Sequence, residues 1–327
     1  MKTLSAVALL LFAVPAWCQP VPGSLDVRWN AGAPDCEATP QSPLQVHRYE
    51  PQTYILRQSP CANFEGNFLY LLIGSGKALL IDTGAVADPD LMPLARTVLD
   101  LLPGGKNSRL PLLVAHTHGH GDHTAGDPQF AELPSVKIVP VESQDIRAFF
   151  GFTDWPKGVT VLDLGGRMVE VLPAPGHHPD HVVFYDDRTA LLLTGDFLLP
   201  GRLLIDDAAD YHDSAVRLVE FLKARPITHV LGAHIELDAT GQAYSMGSEY
   251  HPNERSLGLT RADLLSLPAA FEDFNGFYAT HDNYILSNPG RNLLMLAIAV
   301  VVVLTLSVWV LRRFLRRRRV FKGDATL

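Results

Sequence analysis

The chain is poor in cysteine, with three among 327 residues. Cys18 sits in an N-terminal leader, which leaves Cys36 and Cys61 and room for one disulfide. Such a bond would tie the N-terminal segment to the rest of the chain and suits an oxidising compartment. No Asn-x-Ser/Thr sequon occurs, in keeping with a bacterial periplasmic protein. Internal repeats and low-complexity tracts are also missing, apart from an arginine-rich tail. Basic residues are sparse between the two ends. Seven of the 27 lie in the tail and one in the leader, so 19 face 34 acidic residues and the formal charge there is near −15. A surface of that sign repels phosphate backbones, which excludes nucleic acid as a partner.

Apolar residues are abundant instead, 47% against 19% charged, and the two ends account for the excess. Residues 1–18 carry Lys2, an apolar run from Leu4 to Val14, and Ala16 and Cys18 placed before a cut at Gln19. They read as a secretory signal peptide. Near the other end, residues 292–311 are apolar or weakly polar throughout and long enough to cross a hydrocarbon core as one transmembrane helix. The block Arg312, Arg313, Arg316, Arg317, Arg318, Arg319 and Lys322 follows at once. The positive-inside rule assigns this basic tail, 312–327, to the cytoplasm. The bulk of the chain is therefore expected to be periplasmic or extracellular, held to the membrane by its C-terminal helix.

Between these ends, residues 19–45 are rich in Pro and Gly and read as an irregular leader. A domain is expected over 46–250, followed by a juxtamembrane extension over 251–291. Apolar runs at 67–73 and 77–81 flank Gly74-Ser75-Gly76 as a hairpin. Asp90 to Leu102 has helical spacing of Leu91, Leu94, Val98 and Leu101. Leu110 to Ala115 is a short strand running into a histidine cluster, and further strands are read at 136–139, 159–162 and 167–172. Strands at 182–185 and 190–194 bracket a hairpin turn. A helix at 214–224 has Val216, Val219, Phe221 and Leu222 as its apolar side, and a last short strand covers 228–231. Thr260 caps a helix to Ala270. Strand pairs alternating with single helices predict an α/β layered sandwich.

The chemistry is concentrated in Ala115-His116-Thr117-His118-Gly119-His120-Gly121-Asp122-His123. Imidazole and carboxylate are good ligands for zinc and other borderline divalent metals. Gly119 and Gly121 are expected to permit a tight loop that aims several side chains inward.

His118-x-His120-x-Asp122-His123 resembles the His-x-His-x-Asp-His signature of the metallo-β-lactamase superfamily. Only the frame beginning at His118 fits, which makes His116 a neighbour at the strand end. Leu80-Ile81-Asp82-Thr83-Gly84 is similar to the family's Asp-Thr-Gly turn. Pro175-Gly176-His177, Thr194-Gly195-Asp196 and Gly232-Ala233-His234 resemble its later segments, in order, with Ala233 a slight departure. The resemblance covers roughly residues 46 to 240 and implies an αββα sandwich with a two-metal site. His118, His120 and His177 would hold one zinc; Asp122, His123 and His234 would hold a second, with Asp196 bridging both. Iron or manganese are the other metals such a site takes. Asp122 would also orient the nucleophile, a hydroxide shared by the two zinc ions, and Asp82 would fix a histidine ring. His178 and His181 read as residues near the pocket rather than ligands. Tyr211, His212 and His229 read as structural, and Tyr250 and His251 are within chain reach of the pocket.

The function implied is hydrolysis of an ester, thioester or related acyl bond in a small-molecule substrate, with the glyoxalase II-like branch favoured by Asp196 as bridging carboxylate. The roughly 50 residues between His234 and the apolar stretch are short for glyoxalase II's helical substrate domain. A β-lactamase or lactonase is the nearest alternative. A mono-iron persulfide dioxygenase would not require all seven ligands, and a non-catalytic metal-binding membrane protein would be expected to lose some of them.

Overall fold

The computed structural model describes residues 19–104 and 109–323. The expected signal peptide and the last four residues of the basic tail lie outside the described residues.

Alternation along single strands sets the layers. In β3 (Phe68–Ile73) every side chain is buried. Phe68, Tyr70 and Leu72 join one apolar cluster, whereas Leu69, Leu71 and Ile73 join another. A strand apolar on both faces must be covered on both sides. The first sheet runs in spatial order β1 (Leu44–Glu50), β2 (Thr53–Gln58), β3, β4 (Ala78–Ile81), β5 (Leu112–Ala115), β6 (Val136–Ile138). Its outer face is covered by α1 (Leu94–Leu101), through Leu94 and Val98.

A short turn of helix, α2 (Gly121–Thr124), and α3 (Ser143–Phe150) lead to the second sheet. This sheet takes β7 (Thr160–Asp163), β8 (Met168–Pro173), β9 (Val182–Asp186) and β10 (Leu191–Gly195). The next strand in the chain, β11 (Arg202–Leu204), and α4 (Ala208–Leu222) precede its remaining members, β12 (His229–Gly232) and β13 (Gly258–Leu259). Its inner residues, among them Val171, Phe184, Leu191 and Leu193, pack against Phe68, Tyr70 and Leu79 of the first sheet. Its outer face carries α4 and α5 (Arg261–Glu272). The result is the expected αββα sandwich. β11 pairs instead with β15 (Ile285–Ser287), which also pairs with β14 (Tyr278–Thr280), in a small third sheet. The chain then runs into α6 (Pro289–Gly323).

Buried Arg167 fastens the two large sheets. Its Nε and Nη2 donate to Asp186, each at 2.7 Å, while Nη1 donates to the carbonyl of Gln52 and Nη2 to Thr53 Oγ1. Cys36 and Cys61 form a disulfide that holds the leader against the first sheet.

Several elements differ from the sequence expectation. Helix α4 starts six residues earlier than read, because the Asp207 side chain accepts from the backbone of Ala209 and Asp210 and caps it. Its buried stripe is Tyr211, Ala215, Leu218 and Leu222, and Val216 points outward at 44% exposure. Small Ser214 and Ala215 mark the true inner face, where a count of large apolar residues does not look. Leu91 lies outside α1 and is exposed. Strands β1 and β2 and helix α3 were not read, and the aromatic segment before α6 supplies β14 and β15.

Candidate metal centre

Strands β8, β10 and β12 run in one direction, since β9 is antiparallel to both β8 and β10 while β12 is parallel to β10. β4 and β5 are likewise parallel to each other. Asp82, the 116–123 run, His177, Asp196 and His234 each follow the C-terminal end of one of these five strands. The sandwich therefore delivers motifs far apart in sequence to one rim.

Two groups form there. His118, His120 and His177 make the first; Asp122, His123, Asp196 and His234 make the second, and within each group the ligand atoms lie within 4.8 Å of one another. In the first, His118 Nε2 is 2.8 Å from His120 Nδ1 and 3.2 Å from His177 Nε2, and the last two nitrogens are 3.1 Å apart. In the second, His123 Nε2 and His234 Nε2 lie 3.2 and 3.4 Å from Asp122 Oδ2. They lie 3.4 and 3.3 Å from Asp196 Oδ1. The other oxygen of Asp196 is 3.6 Å from His177 Nε2, so its carboxylate stands between the groups with one oxygen toward each.

Hydrogen bonds behind the rings select the tautomers. His177 Nδ1 donates to the Leu204 carbonyl and His234 Nδ1 to the Glu65 carbonyl, both at 2.8 Å. His123 Nδ1 donates to Asp82 Oδ2 at 2.9 Å, and His118 Nδ1 meets Thr117 Oγ1 at 3.1 Å. Thr117 itself donates to Asp82 from its backbone N at 2.7 Å and its hydroxyl at 3.0 Å. Asp82 thus orients His123 directly and His118 through Thr117. In each of these four rings Nε2 is left facing the centre.

This convergence tests whether divalent metals suit the site. In the first group nitrogen lone pairs point at one another and repel, and in the second His123 Nε2 and Asp196 Oδ1 are buried without a hydrogen bond. Ligands of a tetrahedral zinc, at about 2.0–2.1 Å from the ion, stand roughly 3.3 Å apart, close to the separations in the first group. The donors fit a binuclear metal centre.

The electrostatics divide along the same line. Burial, then His123 and His181, hold His118 well below the usual histidine range. Burial and His177 lower His120, and burial lowers His177 despite Asp196. Neutral imidazole is the form that binds a metal. In the second group burial would push both carboxyls up, but His123 and His234 hold Asp122 and Asp196 well below the usual carboxylate range. Burial opposes protonation of His123 and His234, yet Asp196 and the other nearby carboxylates raise both well above the usual histidine range.

The glycines that matter are not those of the His-rich loop. Gly119 and Gly121 lack positive φ, and a Cβ on Gly121 would meet nothing within 4 Å. Gly176, before His177, has φ +138°, and a Cβ there would stand 2.4 Å from the Tyr211 Cα. Gly195, before Asp196, has φ +52°, and its Cβ would stand 2.5 Å from Thr117 Oγ1. Both positions admit only glycine.

The remaining histidines separate as follows. His116 turns away, 2.8 Å from Asp127 Oδ1. His178 lines the cavity beside His120 and His177. His181 is fully buried and stacks on His118 with centroids 5.0 Å apart, outside both groups. His229 bonds the Tyr49 hydroxyl, and His251 stacks on Tyr244 and borders a small hollow shared with His234. Thr117 and the Leu204 and Glu65 carbonyls are participants that sequence reading missed. Backbone carbonyls leave no residue-type signal, although the hydroxyl of Thr117 within the His run was a visible one.

Comparison with known proteins agrees with the geometry. A family profile described as the Metallo-beta-lactamase superfamily matches residues 63–234, more than half of the chain. A hydroxyacylglutathione hydrolase from Methylobacillus flagellatus is 30% identical over 227 residues, 64% of this chain and 81% of the relative. Acyl-coenzyme A thioesterase MBLAC2 from Gallus gallus is 25% identical over 56% of this chain and 77% of its own. A solved metallo-beta-lactamase from Pontibacter korlensis aligns with TM-score 0.47 and 18% identity, over 71% of this chain and all of that one. With its motifs assembled on one rim of this sandwich, the chain belongs to the metallo-β-lactamase superfamily and is a hydrolase of that fold.

Proposed function

We propose that the protein is a two-zinc acyl hydrolase that cleaves a thioester or ester at the outer face of a membrane. The observation that carries this reading is the pair of donor groups sharing Asp196 between them. His118, His120 and His177 would hold one cation, Asp122, His123 and His234 the other, and Asp196 both. Bound there, two divalent cations polarise an acyl carbonyl and bring the pKa of water toward neutrality. Asp122, set among His123, His234 and Asn67 Nδ2 at 3.4 Å, accepts a hydrogen bond from the attacking water and directs it at the carbonyl. Water's oxygen bonds to the acyl carbon, the C–S or C–O bond breaks, and the thiol or alcohol leaves with the proton. Thr117, Asp82 and the Leu204 and Glu65 carbonyls keep the rings in the tautomers this needs. Thioester cleavage is favoured because the relatives include proteins named hydroxyacylglutathione hydrolase and acyl-coenzyme A thioesterase.

The location rests on two features. The apolar stretch of α6 from Pro289 to Arg313 is long enough to span a bilayer, and none of it is buried against the rest of the protein. The Cys36–Cys61 disulfide suits an oxidising compartment. Metal analysis of the purified full chain and turnover on a thioester, ester, lactone and β-lactam panel test the function. Two zinc per chain with thioester cleavage that chelation abolishes is expected. One iron per chain with persulfide oxidation, or two bound metals without turnover on any member, would overturn it.

A further inference from the structure

The cavity that reaches His120 and His177, about 730 Å³, is walled on one side by the root of α6. Asn288, Pro289, Gly290 and Arg291 line it together with Asp206 and Asp207. The junction is tied down by strand pairing. β15 pairs with β11, placing Ser287 beside Leu204, and Ile205 N donates to the Ser287 carbonyl at 2.8 Å. Leu204 is also the residue whose carbonyl orients His177. One rung of a strand ladder therefore separates the start of the apolar helix from the metal centre.

The depth of this junction follows from charge. Residues 292–311, twenty in number, carry no charge, and at 1.5 Å per residue they measure about 30 Å, the thickness of a hydrocarbon core. Arg291 and Arg312 bracket that run at the two headgroup levels. Arg291 is exposed, its guanidinium 5.7 Å from the Phe277 ring centroid. With α6 spanning a bilayer in this way, the cavity mouth would lie where the ester groups of a lipid lie. Asp206 and Asp207, which also line the cavity, disfavour a soluble polyanionic acyl donor, whereas Arg291 attracts anionic headgroups.

We propose that this enzyme takes a long-chain acyl ester or thioester directly from the bilayer, its carbonyl reaching the metal centre while its chain stays in lipid beside α6. The assignment rests on the hydrolase and membrane readings above and adds the substrate class and the route. Hydrolysis then leaves a fatty acid in the leaflet and releases the alcohol or thiol to water.

The test uses the full chain in phosphatidylcholine vesicles holding a long-chain ester with a diazirine near its carboxyl end. Irradiation and mass spectrometry are applied to metal-loaded and metal-stripped protein alike. Crosslinks at 204–209 and 288–291, besides those along the span, are expected in both. Ala209→Trp, which fills the mouth, should cut the cavity crosslinks about tenfold and leave those along 292–311 unchanged. In turnover, the vesicle-borne ester should outrun its short-chain soluble analogue. Crosslinks confined to 292–311 would overturn the route, as would a soluble analogue cleaved as well as the vesicle-borne one, with the hydrolase reading left standing. Cavity crosslinks without cleavage of any ester or thioester, two metals being bound, would support the route and sink the hydrolase reading.

Discussion

Replacing Asp82 with asparagine removes one charge from behind the metal centre while nearly preserving shape. The backbone at this position has φ 65°, a left-handed conformation that asparagine tolerates and alanine does not, so Asp82→Asn isolates the side chain's electrostatic role. Its carboxylate now accepts from Thr117 N on one oxygen and from His123 Nδ1 and Thr117 Oγ1 on the other. A single amide oxygen can serve only one of these sides, and it does so without charge. A hydrogen bond to a charged group is worth about 1.5–3 kcal/mol against roughly 1 for a neutral one. Loss of such a partner behind a ligating histidine typically costs about 10–100-fold in metal affinity, or about 1.4–2.7 kcal/mol. Zinc titration of the stripped full chain against a chromophoric chelator should show two binding steps. The step assigned to His123 should weaken by that amount, and the step assigned to His118, coupled only through Thr117, should weaken less. Thermal melting of the metal-free variant separates lost affinity from lost fold. Unchanged affinity at both steps, or equal weakening of the two, would refute the reasoning.

Three further outcomes are expected. His118→Ala should drop bound zinc below two per chain and remove turnover, while His116→Ala, which breaks only the contact with Asp127, should retain both ions by elemental analysis. Gly176→Ala forces a Cβ into Tyr211 and displaces His177; zinc held by the three-histidine group should bind more weakly, measured by the same titration, with activity falling in parallel. Arg167→Met strands the buried carboxylate of Asp186 and should lower unfolding free energy by about 3–5 kcal/mol, read from denaturant melts of the metal-free chain; a change under about 1 kcal/mol would mean the clamp is already offset by its desolvation.

Much of this cluster is legible in the sequence, because the side chains that gather there are reactive residue types held in short contiguous motifs. His118, His120, Asp122 and His123 declare themselves by spacing, and the frame that includes Asp122 excludes His116. The same holds for α5, whose Thr260 cap and Asp263 form a reciprocal pair at its start. Other elements were hidden for definite reasons. Helix α4 buries its small residues, so its inner face was misread from the large ones. Gly119 and Gly121 drew attention by their neighbours, but steric need falls on Gly176 and Gly195, which face Tyr211 and Thr117 from other parts of the chain.

Sequence alone determined the candidate donors, the apolar stretch of α6 and the charge that brackets it, because each is a property of residue type along a line. Tertiary structure decided what stands behind each donor and what stands beside the cavity. The Leu204 and Glu65 carbonyls belong to no residue type, and only the packing of separate segments of the chain brings them to His177 and His234. The register of β15 against β11 sets the root of α6 against the cavity. His120 and the root of α6, nearly 170 residues apart in sequence, line one cavity because parallel strand pairing, which needs long connections, joins distant segments at a single rim.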